Sequence, residues 1–303
     1  MIKKTMLIPI VFIIIGFLGC NTGSDKSTTD EFSIPDSLKD KPLEIAEGKL
    51  GEIVKNISSP VEIAMLLKEA GATYSQSYLS DLKDIESYDN AFKCALNLGV
   101  VGTDLGYMNI YEKTMATVNY LSAIKTLSNK LSLEQFFDFA AMKRMAENKS
   151  NLDSMAFISV QNFNNMDSYL REHKRSNVSA MIVTGLWVES MYIAIQVNKD
   201  KPNKKIVERI GEQKIIVGQL LLILKNFKSD NNIALLTKDI EAINNLFNNV
   251  KITIEYGEPE SVEKDGMLTI VQHEISHIEM SKDQFNQITK LIVDLRNKIT
   301  KKQ

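Results

Sequence analysis

The residues with the clearest catalytic potential form a short run near the C-terminus, His273-Glu274-Ile275-Ser276-His277. On a helix, the two imidazoles would lie one turn apart on one face, where both could bind a zinc ion. Glu274 would then polarise a metal-bound water for attack on a substrate. The run therefore raises the hypothesis of a zinc-dependent hydrolase, with His273 and His277 as metal ligands and Glu274 as base.

The flanks of this run, Ile270-Val271-Gln272 and Ile278, resemble the active-site helix of zinc metalloproteases. The local composition favours a strand instead, because the segment 267–280 is rich in β-branched residues. In a strand, Glu274 would point away from both histidines. A capping box at Ser281 also begins a new helix directly afterwards, and no third-ligand motif follows. We therefore predict no metal and no other cofactor, and retain zinc hydrolysis as an alternative.

A second set of candidate residues surrounds a stripe of small residues on a helix predicted from about residue 88. The stripe recurs every three or four positions, at Ala91, Ala95, Gly99, Gly102 and Gly106. It predicts close approach of a neighbouring backbone, or alternatively the floor of a ligand cleft. Around it lie Tyr74, Tyr78, Asp104, Tyr107 and Tyr111. These are our candidates for a ligand surface, although tyrosines at helical spacing are more often half-buried packing residues.

The N-terminal segment carries a targeting signal. Lys3 and Lys4 precede an apolar run, 6–15, that is too short to span a bilayer, and Leu18-Gly19-Cys20 follows. These residues resemble the signal peptide and lipobox of bacterial lipoproteins, with Phe17 where that family usually has leucine. The resemblance covers residues 1–20 only.

The lipoprotein resemblance implies cleavage before Cys20, with diacylglycerol on its sulfur and an acyl chain on its new amino group. Several acyl chains together give durable membrane attachment. Asn21 at the next position implies transfer to an outer membrane. We therefore expect a signal peptide at 1–19, and a lipidated Cys20 with a polar flexible tether at 20–57. The remaining cysteine, Cys94, lies in an apolar run and is predicted to be a buried, inert thiol.

The overall composition limits the class of protein. The chain has 36 basic and 38 acidic residues, without a long run of either sign, which argues against a nucleic-acid partner. Glycine and proline are scarce, at 14 and 6, so long helices are allowed and a turn-rich β-sandwich is disfavoured.

The most apolar predicted helix, 177–198, is apolar on nearly every side and contains the only tryptophan, Trp187. Its polar residues, among them Glu189 and Gln196, favour a core helix surrounded by other helices over a membrane span. We expect the Glu189 carboxylate to leave the core along a seam; a buried functional carboxylate is the alternative.

The remaining patterns predict a mainly α-helical domain, 58–303, built as a bundle of about eight helices. A stack of helical hairpins in a solenoid is the alternative. One helix is predicted over 109–130, and a capping box at Ser132 predicts another to about 148. Period-two alternation at 250–256, with the β-rich run 267–280, predicts a β-hairpin with a long loop before the last helix.

Together these features predict a lipid-anchored cell-envelope protein, attached to the membrane through Cys20, that binds or scaffolds another envelope component without catalysis. The alternatives are the zinc-dependent hydrolase and an envelope solute-binding protein with a deep pocket near the glycine stripe.

Overall fold

The computed structural model of the chain describes residues 66–140, 142, 152–257, 260–264, 267–271 and 274–301. The predicted signal peptide, lipidated Cys20 and tether lie outside these residues. Within them, 74% of residues are helical, which confirms the mainly α-helical fold. Eight helices lie among these residues. One helical segment ends near residue 69 and is terminated by Gly71, whose backbone is left-handed (φ 71°).

The described residues contain seven long helices: α1 (Ala91–Ile110), α2 (Thr114–Lys130), α3 (Leu152–Glu172), α4 (Ser176–Asp200), α5 (Lys204–Lys225), α6 (Asn231–Phe247) and α7 (Lys282–Thr300). Three 3-10 turns lie at Gln76–Tyr78, Ile85–Ser87 and Glu134–Phe136. The strands are β1 (Lys251–Tyr256), β2 (Glu260–Lys264), β3 (Met267–Val271) and β4 (Glu274–Glu279).

Helix α4 is the centre of the bundle, as its all-round apolar sequence predicts. It packs against α1, α3, α5 and α7, and Trp187 is completely buried. By length and composition α4 could cross a membrane, but 89% of its most apolar window is buried inside the protein. The other helices therefore provide the apolar surroundings that its sequence requires.

Helices α1 and α4 cross in direct backbone contact through two glycines. A Cβ added at Gly99 would lie 2.1 Å from the carbonyl oxygen of Ile182, and one added at Gly185 would lie 1.9 Å from that of Leu96. Close packing of the small-residue stripe is therefore confirmed at Gly99. The stripe does not act as a unit, because Gly102 is exposed and a Cβ there would meet nothing within 4 Å.

Two predicted helix boundaries are wrong for the same physical reason. The helix predicted over 109–130 is interrupted at Glu112, and the predicted capping box at Ser132 is instead the end of α2. Both residues are left-handed, with φ 55° and 54°. After α2, the Leu133 N–H donates to the Ser128 carbonyl and the Ser132 N–H to that of Asn129, which is a Schellman motif. These ends are formed without glycine, so the sequence carries no clear stop signal.

The predicted β-hairpin is confirmed, and its loop is more ordered than expected. β1 pairs antiparallel with β4, from Lys251 opposite Glu279 to Tyr256 opposite Glu274. The segment predicted as a loop contributes β2, which pairs with β3 in a second two-stranded sheet. The predicted capping box at Ser281 opens α7, with Gln284 as its partner.

Candidate functional site

The structure brings the four candidate tyrosines together in one aromatic cluster. The ring centroids of Tyr107 and Tyr111 are 4.9 Å apart, those of Tyr74 and Tyr107 are 5.6 Å apart, and those of Tyr78 and Tyr107 are 6.4 Å apart. Tyr107 is buried at the centre, whereas Tyr74 and Tyr111 are half-buried. Side chains from α1, from Tyr111 directly after it and from the 74–78 segment before it therefore form one packed group.

The hydroxyls of this cluster bind neighbouring parts of the chain. Tyr111 donates to the Ala72 carbonyl at 3.1 Å, and Tyr107 accepts from the Ser75 N–H at 3.2 Å. Tyr78 donates to Asp200 at the end of α4, and Tyr74 donates to the side chain of Gln76. Burial, and then the Asp200 carboxylate, raise the pKa of Tyr78 to about 12. The hydroxyls thus act as neutral donors and acceptors that fix the 72–78 segment to the bundle.

Asp104, the fifth candidate on this surface, is completely buried. Its Oδ2 accepts hydrogen bonds from the Ser80 hydroxyl and from the Ser80 N–H, the latter at 3.0 Å. Its Oδ1 has no hydrogen-bond partner among the described residues. Burial, followed by the negative charge of Glu189, raises the pKa of Asp104 well above its ordinary value, against the opposing effects of the Ser80 hydrogen bonds and of Arg296. The raised pKa favours the neutral form of this carboxylic acid.

The predicted exit of the Glu189 carboxylate from the core along a seam is wrong. The side chain is completely buried, and both carboxylate oxygens accept hydrogen bonds from Arg296 of α7, at 2.9 and 3.0 Å. This two-point pairing satisfies the carboxylate without access to solvent. Glu189 of α4 can therefore stay inside the bundle, because Arg296 of α7 lies beside it and supplies the opposite charge.

Arg296 is a core residue that the sequence analysis missed. It is 8% exposed, and its guanidinium carbon lies 4.3 Å from the centroid of the Tyr192 ring. Burial opposes its charge, but the Glu189 carboxylate outweighs that effect and raises the pKa of Arg296. A signal was present, since Arg296 follows Ile288 and Ile292 at four-residue spacing on the buried stripe of α7.

The zinc motif is not on a helix in the part of it that the structure describes. Residues 274–279, which include Glu274 and His277, form strand β4, while His273 lies outside the described residues. His277 is opposite Thr253, and its Nε2 lies 2.8 Å from a carboxylate oxygen of Glu255. Both side chains are exposed.

The helical spacing that places two imidazoles on one metal is therefore absent at residues 274–277. Across the described ranges, no group of three or more His, Cys, Asp or Glu residues is placed to hold a metal ion. The residues that are described do not fit a catalytic zinc site, which needs three protein ligands and an open position.

Cys94 is buried, as its apolar surroundings predict, at 1% exposure. Burial raises the pKa of its thiol, with a smaller opposing effect of Lys130. The thiol lies 3.7 Å from the Tyr88 carbonyl, to which it donates. A buried thiol with a raised pKa is a poor nucleophile, so Cys94 is a packing residue.

An open groove lies between α6 and α7, and Ala242, Leu291 and Leu295 are among the residues that line it. On its rim Lys298 and Asp239 form an ion pair at 2.8 Å, so opposite charges there already neutralise each other.

Comparisons with known proteins do not extend this description. No protein-family model matches the chain, and no curated protein or solved structure shows significant similarity to it. The function therefore has to be argued from the residues of the chain itself.

Proposed function

We propose that this chain is a lipid-anchored protein of the cell envelope whose helical domain binds or scaffolds another envelope component without catalysis. The observation that carries the proposal is the sequence Leu18-Gly19-Cys20 directly after a short apolar run with a basic start. Such a segment is typical of secretion, and the cysteine at its end supplies the sulfur for lipid attachment. Asn21 supports an outer-membrane destination.

The contacts of the buried polar side chains support the non-catalytic part of the proposal. Glu189 and Arg296 form hydrogen bonds with each other, and one carboxyl oxygen of Asp104 accepts hydrogen bonds from Ser80. The Cys94 thiol is buried with a raised pKa. A catalytic group has to reach a substrate, whereas these groups lie in the core. Their arrangement is that of polar groups that specify packing.

The proposal is tested by following lipid and location together. The full chain and a Cys20→Ser variant are expressed in a bacterium with an outer membrane, labelled with a radioactive fatty acid and separated into membrane and soluble fractions. A Cys94→Ala variant is the matched control, because it removes the other cysteine. We expect label and membrane association for the full chain and for the control, and loss of the label in Cys20→Ser. Label retained by Cys20→Ser would overturn the proposal.

The zinc hydrolase is the competing function and has a separate test. Metal content is measured for the purified protein and for a variant with His273→Ala and His277→Ala. The proposal predicts no stoichiometric zinc in either protein. One zinc per chain that disappears in the variant would instead support the hydrolase, and peptidase assays would follow.

A further inference from the structure

One edge of strand β1 has no strand beside it among the described residues. The other edge pairs with β4. β4 packs on α5, where a Cβ added at Gly211 would lie 2.4 Å from Ile278, whereas the principal neighbour of β1 is β4. In this two-stranded ribbon each strand has one edge with which no described strand pairs, and β4 is the strand that packs on α5. Such an edge presents unpaired N–H and C=O groups that can accept another strand.

The sequence of β1, Lys251-Ile252-Thr253-Ile254-Glu255-Tyr256, is complementary to itself when reversed. If two copies pair antiparallel with Thr253 opposite Thr253, then Lys251 of each copy lies opposite Glu255 of the other. Ile252 lies opposite Ile254 in the same register. Opposite charges, β-branched pairs and threonine pairs are the cross-strand combinations that stabilise antiparallel sheets. No other symmetric register of β1 brings Lys251 opposite an acidic residue.

Within one copy, Lys251 also has an acidic neighbour on β4. Lys251 lies opposite Glu279 on β4 and forms an ion pair with it at 3.5 Å. Beside a second copy, Lys251 would lie between Glu279 of its own chain and Glu255 of the other. Lys251, Glu255 and Glu279 are all exposed, so these side chains are accessible to such a partner.

We propose that β1 is the interface of a homodimer, in which two copies pair antiparallel about Thr253 and form a continuous four-stranded sheet, β4-β1-β1-β4. The two-fold axis passes through the sheet between the two Thr253 residues, so the contact is the same on both copies and closes after two. This inference rests on strand pairing and charge, and does not depend on the lipid anchor.

Charge reversal tests the register. Sedimentation in density-matched detergent is used to measure the dimer dissociation constant of the full chain and of three variants, Lys251→Glu, Glu255→Lys and the double exchange. Each single reversal places like charges opposite each other twice in a dimer. We expect it to raise the dissociation constant at least about tenfold. The double exchange restores opposite charges and should return the constant to within about threefold of the original.

Cysteine cross-linking tests the position of the axis. Residues directly opposite each other in an antiparallel pair have Cβ atoms within about 5.5 Å. A Thr253→Cys variant should therefore form a disulfide-linked dimer under mild oxidation. A Glu279→Cys variant is the matched control on the same face, since its counterpart would lie three strand spacings away, at about 14 Å or more. It should stay uncross-linked.

The proposal would be overturned if the protein stayed monomeric at every accessible concentration. It would also be overturned if the single charge reversals left the dimer dissociation constant unchanged, or if cysteines at positions 253 and 279 cross-linked equally. Thermal unfolding of each variant distinguishes loss of pairing from loss of folding. The exposed ion pairs within one copy contribute little to monomer stability, so the melting temperatures should remain close to the original.

Discussion

Replacement of Arg296 by methionine should destabilise the fold strongly, because it leaves the completely buried Glu189 without its cation. Removing one member of a buried ion pair costs about 3–5 kcal/mol. This cost is a large part of the roughly 5–15 kcal/mol that stabilises a typical domain.

The assay is urea unfolding followed by the fluorescence of Trp187, which is fully buried on the same helix as Glu189. The double variant Glu189→Leu with Arg296→Met is the control. Its unfolding free energy should lie within about 1 kcal/mol of the original, because an apolar pair of similar volume replaces both charges. A cost below about 1 kcal/mol at pH 7, or a double variant as unstable as the single one, would refute the reasoning.

Four further substitutions, one of them a control, can be tested by the same unfolding assay. Burial raises the pKa of Asp104 above its value in the unfolded chain, so its neutral form contributes stability that is complete below about pH 4 and declines as the pH rises. Asp104→Asn should remove this decline, so that its free energy of unfolding rises relative to that of the original protein by up to about 1.4 kcal/mol per pH unit from pH 5 to 7. Unfolding free energies that change with pH in parallel for the two proteins would contradict this prediction. Gly99→Ala should cost about 3 kcal/mol by overpacking. Its control Gly102→Ala, in open space, should gain about 0.5–1 kcal/mol, and equal effects would contradict the crossing geometry. Lys174→Gly should raise the free energy of unfolding by about 0.5–1 kcal/mol, because Lys174 ends α3 in the left-handed conformation with φ 56°. A lower free energy of unfolding would contradict this backbone conformation.

The features that the sequence predicts correctly are those with a local cause. A run that is apolar on every side has to be surrounded, so the position of α4 in the core follows from its own residues. Period-two alternation predicts strand β1, and the Ser281 capping box predicts where α7 begins, with the Gln284 N–H donating to Ser281 at 3.2 Å. Each of these signals lies within a few residues of the structure that it specifies.

The features that the sequence predicts badly depend on distant residues or on unusual helix ends. The exit expected for Glu189 is wrong because its partner, Arg296, is 107 residues away in the chain. The helix ends at Glu112 and Ser132 use non-glycine residues in the left-handed conformation, which sequence patterns normally assign to glycine. The four tyrosines were found as a set, but the roles of their hydroxyls depend on which loop atoms lie beside them.

Lipid attachment at Cys20 and the proposed absence of a catalytic metal can both be checked by one native mass measurement on the protein extracted from bacterial membranes. We expect a mature chain that begins at Cys20, with the added mass of a diacylglycerol and an amide-linked acyl chain and no added mass for zinc. An unmodified chain, or a chain that begins at another residue, would contradict the lipid anchor. One bound zinc per chain, lost after His273→Ala and His277→Ala, would contradict the non-catalytic part.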